Sequence, residues 1–216
     1  MNVQKHRGET AKHDHVRNFV EPLRPDYLRI AKIVPDGSTV LDLGCGDGDL
    51  LDYLIHEKHV NGQGVELSIA GVKACLEKGV NVVHGDISEA LTNIRQTPFD
   101  YVLLSQTLHE LQRPDEIILE SLRVGCHVIV SFFNLAFYKY RFGLLFKGTF
   151  PKDFPYSWKN TYASILTLKD FRAYCEEHGI EISNEILLDE HGKEISTWIS
   201  NWRTQVVVLV LQKKEN

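Results

Sequence analysis

An α/β fold, seven strands in a mostly parallel sheet flanked by helices, is predicted by three features of the sequence. Apolar, β-branched runs of strand length alternate with amphipathic stretches of helical period. The first such run, Val40 to Leu43, passes directly into the glycine-rich turn Gly44-Cys45-Gly46-Asp47-Gly48, the junction expected between a buried parallel strand and a helix. A chain of 216 residues with 43% hydrophobic content can also bury one substantial core.

The elements follow in order. A helix is expected from about His15 to Ile33, interrupted near Pro22 and Pro25, with Phe19, Leu23, Tyr27, Ile30 and Ile33 on its apolar face. Residues 1–36 are thus an N-terminal helical segment, and residues 37–216 the main domain, opened by the Asp36-Gly37 turn. After the first strand and turn comes a helix over Asp49 to Lys58. Gln63 to Leu67 reads as the second strand. Ser68 then caps a helix to Lys78, which Gly79 closes. Asn81 to Asp86 spans the third strand and its end, and Asp86 caps a short helix over Ile87 to Ile94. Phe99 to Gln106 is the fourth strand, and Pro114 starts a helix reaching Arg123. Cys126 to Phe132 is the fifth strand. Thr167 caps a helix to His178, and strands near Ile180 to Leu188 and Gln205 to Leu211 complete the sheet.

Ligands of open α/β sheets bind at the carboxyl ends of the strands, so the turn after Leu43 is the place to look for a site. Its pattern is D-x-G-x-G-x-G, with Asp42 two residues before Gly44, and not the G-x-G-x-x-G of a dinucleotide site. A carboxylate at Asp42 repels a diphosphate and suits a ligand bearing an ammonium group. S-adenosylmethionine (SAM) carries an ammonium and a sulfonium and no phosphate. The turn resembles motif I of the Rossmann-like class I SAM-dependent methyltransferases. Glu66 ends the second strand roughly 20 residues beyond the loop, where an acid grips ribose hydroxyls. In the resembling enzymes an acid placed like Asp86 accepts from the adenine amino group, and the last strand runs antiparallel. The expected cofactor-binding set is Asp42, Gly44, Cys45, Gly46, Gly48, Glu66, Leu67, Asp86, Ile87 and Ser105. Glu66 also has a plain reading as a solvated strand end, and Asp86 as a helix cap.

Composition limits the alternatives. A net charge of −5 gives no basic footprint for nucleic acid. Cys45, Cys75, Cys126 and Cys175 show no C-x-x-C spacing, which points to reduced thiols and neither a disulfide framework nor a metal site. With no apolar h-region and no run approaching a membrane span, a cytoplasmic protein is expected, without membrane partners.

The segment at about 133–166 is an aromatic-rich insertion. Phe132, Phe133, Phe137, Tyr138, Tyr140, Phe142, Phe146, Phe150, Phe154, Tyr156, Trp158 and Tyr162 are interleaved with Lys139, Arg141, Lys147, Lys152 and Lys159. Three readings stand: a substrate lid, a partner interface, or aromatics buried on their own domain. A single-stranded nucleic acid platform is the weakest reading for an acidic chain.

Several stretches resemble the MetW family of methionine biosynthesis proteins over about Gly37 to Leu211. They are Val40 to Leu50, Val72 to Val82, Gln106-Thr107-Leu108, Arg113-Pro114-Asp115-Glu116, Leu122-Arg123-Val124-Gly125 and Pro155-Tyr156-Ser157-Trp158. The resemblance implies a SAM-methyltransferase-like protein that supports a homoserine O-acyltransferase. An active methyltransferase on an unidentified small molecule is the alternative. The chain departs from the family pattern at Phe132 to Tyr138 and at Thr161 to Ile165, so the cofactor half matches and the lid or partner half diverges. Methyl transfer from a sulfonium needs mainly alignment, with a base only where the acceptor must lose a proton. His109 and Glu110 are the candidates for that base, His84 a poorer one. None is assigned a catalytic role, because a lone His beside a strand end is more often structural.

Overall fold

The computed structural model describes residues 23–95, 99–149, 166–196 and 200–214. Strands β1 (Thr39–Leu43), β2 (Asn61–Glu66), β3 (Val82–His84), β4 (Phe99–Ser105), β5 (Gly125–Phe133), β6 (Ile180–Leu188) and β7 (Val206–Lys213) pair in the order 3-2-1-4-5-7-6. The β1 to β5 pairings are parallel, and β7 runs antiparallel to both of its neighbours. The order reverses beside β1, and that switch point opens a crevice at the strand ends.

Strand alternation divides the core into two layers. Val40, Leu103, Ile129, Val208 and Val210 face one side, where they pack on α1 (Pro25–Ile33), α2 (Asp49–Lys58) and α3 (Ile69–Lys78). Leu41, Leu43, Val102, Leu104, Val128 and Val130 face the other, against α4 (Ile87–Asn93), α5 (Pro114–Val124) and α7 (Leu168–Glu177). Two further short helices are α6 (Tyr138–Phe142) and α8 (Ser200–Arg203). Because side chains alternate with period two, Asp42 shares the Val40 face. In α1, Ile30, Ala31 and Val34 at its end are buried against Leu50, Leu51 and Leu54 of α2, each large side chain contributing about 1.5–3 kcal/mol.

The sequence-derived boundaries need one correction. Among the described residues the first helix begins at Pro25, and Leu23 and Arg24 are not helical. Proline lacks the N–H that the first turn leaves unpaired, so it suits the first position of this helix. The stretch 15–22, with Phe19, lies outside the described residues. The described part of the aromatic insertion has no single fate. Phe132, Phe137 and Tyr140 are buried in the domain, whereas Phe142, in α6, and Phe146, in the π-helical turn Gly143–Lys147 that continues it, are exposed. Phe150, Phe154, Tyr156, Trp158 and Tyr162 fall outside the described residues. No helix among the described residues is long and apolar enough to cross a membrane.

Candidate ligand-binding site

The glycine turn between β1 and α2 is held from below by backbone. The N–H groups of Gly44 and Cys45 both donate to the Val65 carbonyl, at 2.8 and 3.2 Å, and the Gly48 N–H donates to the Cys45 carbonyl at 3.0 Å. Gly44 has φ +75°, and a Cβ there would lie 2.6 Å from Thr107 Cγ2. Thr107 is itself fixed, its hydroxyl donating to the Leu43 carbonyl at 3.0 Å. The expected site residue Cys45 turns its side chain inward. Its Sγ lies 3.8 Å from Cys75 Sγ, and a Cβ on Gly64 would meet it at 2.5 Å. Cys45 therefore offers the open side only backbone.

Glu66 reaches back from the end of β2 to tie the loop. One carboxylate oxygen accepts from the Gly46 N–H at 2.9 Å and the other from the Ser68 N–H at 2.7 Å. Asp86 caps α4, accepting from the Ser88 N–H at 2.8 Å, while its neighbour Ile87 is buried. Leu67 is exposed at the rim, and His84 Nε2 donates to its carbonyl at 3.0 Å. The structure thus brings Asp42, the Gly44–Gly48 turn and Glu66 together, with Leu67, Asp86 and Ile87 along the adjacent strand ends.

Asp42 is the unusual member. Its side chain is buried, and Oδ1 has no hydrogen-bond partner. Burial, with a smaller push from Glu66, raises its carboxyl to about 7, against the opposing charge of Arg24. A buried acceptor without a donor costs roughly 1–3 kcal/mol. The set is acidic, and it fits a ligand that brings ammonium and hydroxyl donors and no phosphate.

Ser105 sits on the other flank, inside a network that the sequence did not disclose. Arg24 donates from Nε and Nη2 to the buried Asp26 carboxylate, at 3.1 and 2.6 Å, and Nη2 also reaches Ser105 Oγ at 3.0 Å. Asp26 accepts further from Ser131 Oγ at 2.9 Å and Gln106 Nε2 at 3.3 Å. These partners lie up to 105 positions apart in the chain, so no local pattern could have signalled them. The guanidinium of Arg24 lies over the Tyr27 ring, 4.1 Å from its centroid.

His109 lies on the 3₁₀ turn Leu108–Glu110 and is almost fully buried. Burial, then the charge of Arg24, lowers it to about 4. It is neutral at physiological pH and a weak base, poorly matched to proton abstraction. Burial, with Glu66 second, raises the Glu110 carboxyl.

Comparison with known proteins shows the family and the fold. The family model described as "Methionine biosynthesis protein MetW" matches residues 24–211. A curated relative, the bifunctional methionine biosynthesis protein MetXA/MetW of Rhodopirellula baltica, is 31% identical over 206 residues, covering 89% of this chain and 33% of that protein. The chain therefore spans about one third of the length of that relative. Among solved structures, a SAM-dependent methyltransferase from Archaeoglobus fulgidus superposes with a TM-score of 0.63 at 17% identity, covering 87% of this chain and 93% of the other. The 4+2 cyclase SpnF does so with a TM-score of 0.61 at 17% identity, covering 89% of this chain and 81% of that one. At such identity these likenesses establish the fold, and a cyclase among them shows that the fold alone does not fix the reaction. The fold is the Rossmann-like class I methyltransferase fold, and by its family model and its relative the chain belongs to the MetW family.

Proposed function

We propose that the crevice binds SAM and that the chain acts in methionine biosynthesis as a SAM-binding support for a homoserine O-acyltransferase. The observation that carries the ligand reading is the buried Asp42 Oδ1, an acceptor with no donor, at the head of the glycine turn. In this reading Asp42 receives the ligand ammonium, and Glu66 receives the ribose hydroxyls. Asp86 meets the adenine amino group between the Leu67 and Ile87 side chains, while the turn from Gly44 to Gly48, with Cys45 and Gly46, gives its backbone. Ser105 closes the opposite flank. Bound there, SAM supplies an electrophilic methyl group on its sulfonium. The contribution of the chain is to hold and orient the ligand and to exclude water from its charged end.

The partner reading is supported by the relative whose name joins MetXA and MetW in one protein. The weak basicity of His109 also favours binding over base-assisted chemistry. A second reading, methyl transfer to a small acceptor, draws on a cavity of about 190 Å³ beside the crevice, lined in part by Arg24, Asp26, Gln106 and Phe133.

Calorimetric titration with SAM and S-adenosylhomocysteine tests the ligand reading. Saturable binding that Glu66→Ala abolishes is expected, and an absence of binding sinks the reading. For the partner, co-purification with the acyltransferase and a change in its turnover are expected; neither occurring would leave only the methyl-transfer reading. Transfer of label from SAM to a small molecule in cell extract, lost with Glu66→Ala, would establish that second reading.

A further inference from the structure

The exposed end of the aromatic insertion stands on a buried footing. Phe137 and Tyr140 are packed into the domain with their rings edge to face at 5.2 Å, and the Tyr140 hydroxyl accepts from Gln205 Nε2 at 3.0 Å. From there α6 runs into the π-helical turn Gly143–Lys147, an irregularity found often at functional sites. Leu145 and Phe146 in that turn are 74% and 73% exposed, with Phe142 and Leu144 partly exposed beside them. Phe146 stacks on Phe142 at 5.6 Å, and Phe142 meets the ring of Trp202, from α8, edge-on at 5.5 Å. The rings form a ridge in which each holds the next. Single apolar side chains on a surface need no explanation, but a contiguous patch marks an interaction site.

Two concavities flank the ridge. One, of about 350 Å³, lies between Lys139, Phe142, Phe146 and Lys147. The other, of about 360 Å³, is lined in part by Tyr138, Glu190, Trp202 and Arg203. Glu190 also lines the 190 Å³ cavity beside the crevice, so a partner seated here borders the ligand site. The charge of the rim narrows the choice of partner. No Asp or Glu lies between Glu120 and Asp153, whereas Lys139, Arg141 and Lys147 do, in a chain of net charge −5. Lys139 pairs with Glu190, and the Arg141 guanidinium lies 5.3 Å from the Trp202 ring centroid. Lys147 has no ion pair among the described residues.

We propose that the face from Phe142 to Lys147, with Trp202, docks a partner protein through an apolar segment flanked by carboxylates, whose side chains enter the two concavities. This rests on the partner reading above, supported by the relative that joins MetXA and MetW in its name, and it commits to the homoserine O-acyltransferase as the occupant. Aromatic rings with Arg, rimmed by charge, are the composition of a protein interface core. A lipid surface has no side chains to fill concavities. A second copy meeting this face symmetrically would set cation against cation.

The test is calorimetry between the full chain and the homoserine O-acyltransferase encoded by the same genome. A saturable complex is expected. Leu145→Ser and Phe146→Ser should each weaken it at least about tenfold. Lys147→Glu should weaken it about threefold to tenfold and reduce its salt dependence. Leu119→Ser, at an exposed leucine of α5, is the control and should bind as wild type does. A wild-type complex that the three variants leave unchanged would overturn the assignment and spare the partner reading. No complex with the wild-type chain would remove the partner reading, and this assignment with it. Binding to phosphatidylglycerol vesicles that Phe146→Ser abolishes, while its acyltransferase complex persists, would give the face to a membrane and overturn the proposal. A concentration-dependent dimer dispersed by Phe146→Ser, again with the acyltransferase complex intact, would overturn it too.

Discussion

Two buried aspartates a short way apart are treated in opposite ways by the same fold. Asp26, at the start of α1, accepts hydrogen bonds from Arg24, Ser131 and Gln106, so its charge is fully answered. Asp42, at the end of β1, keeps one oxygen without a donor. Burial alone therefore does not mark a ligand residue, since both side chains are 2% exposed or less. What separates them is whether the chain supplies the partner. Asp26 is answered from within and ties α1 to the ends of β4 and β5. Asp42 waits for a donor from outside, and the protein accepts a local loss of stability in keeping it so.

That contrast predicts changes of opposite sign. The largest should come from Asp26→Ala, which strands the Arg24 guanidinium and the Ser131 hydroxyl. A loss of roughly 3 kcal/mol is expected in a denaturant melt. No loss would mean that the two sites are alike after all. Asp42→Asn should instead stabilise the ligand-free protein at pH 8, by roughly 1–3 kcal/mol, while abolishing measurable SAM binding. The sign follows from its titration. Its carboxyl is raised from 3.8 to about 7 on folding, so between those values the folded state holds a proton that the unfolded chain has released. Stability from this group accordingly falls as pH rises through that window, and the gain from Asp42→Asn should vanish near pH 4. His109 acts in the opposite direction. Lowered from 6.5 to about 4, it contributes stability that is present above 6.5 and is lost as pH falls toward 4.

Ligand affinity sharpens the same point. A ligand ammonium needs Asp42 ionised, so S-adenosylhomocysteine affinity should fall by up to about tenfold per pH unit below 7, with proton release seen in calorimetry. A flat profile between pH 5.5 and 7.5 would place the ammonium elsewhere. The smallest effect is expected from Ser131→Ala, which removes one of several donors to Asp26. A cost of about 1 kcal/mol, with ligand affinity unchanged within error, would show that Ser131 itself acts only on stability.

Much of the fold was legible because the signals are local. The alternation of Val40 and Leu41 forecasts which layer each joins, Ser68 and Gly79 bracket α3, and Asp86 caps α4 as its sequence context suggests. The glycine turn and Glu66 were legible for the same reason, lying within one β-α-β unit. Arg24 was not, because a cation before a proline-initiated helix reads as an ordinary surface residue until Ser105, 81 positions away, is folded beside it. The inward turn of Cys45 was hidden as well, since it depends on Cys75 and Gly64 packing around it. The aromatic insertion resisted a single reading because composition cannot assign its rings individually. Tyr140 is buried while Phe142, two residues on, is 42% exposed.

The grip of Glu66 on the turn has a consequence for numbers. A carboxylate offers about four lone-pair positions, and the Gly46 and Ser68 N–H groups take one on each oxygen. One position on each oxygen remains, which is the count that a vicinal diol with two hydroxyl donors requires. A diol can therefore join this carboxylate without displacing the backbone from it. Filling the crevice would add bonds to an assembled frame and remove none.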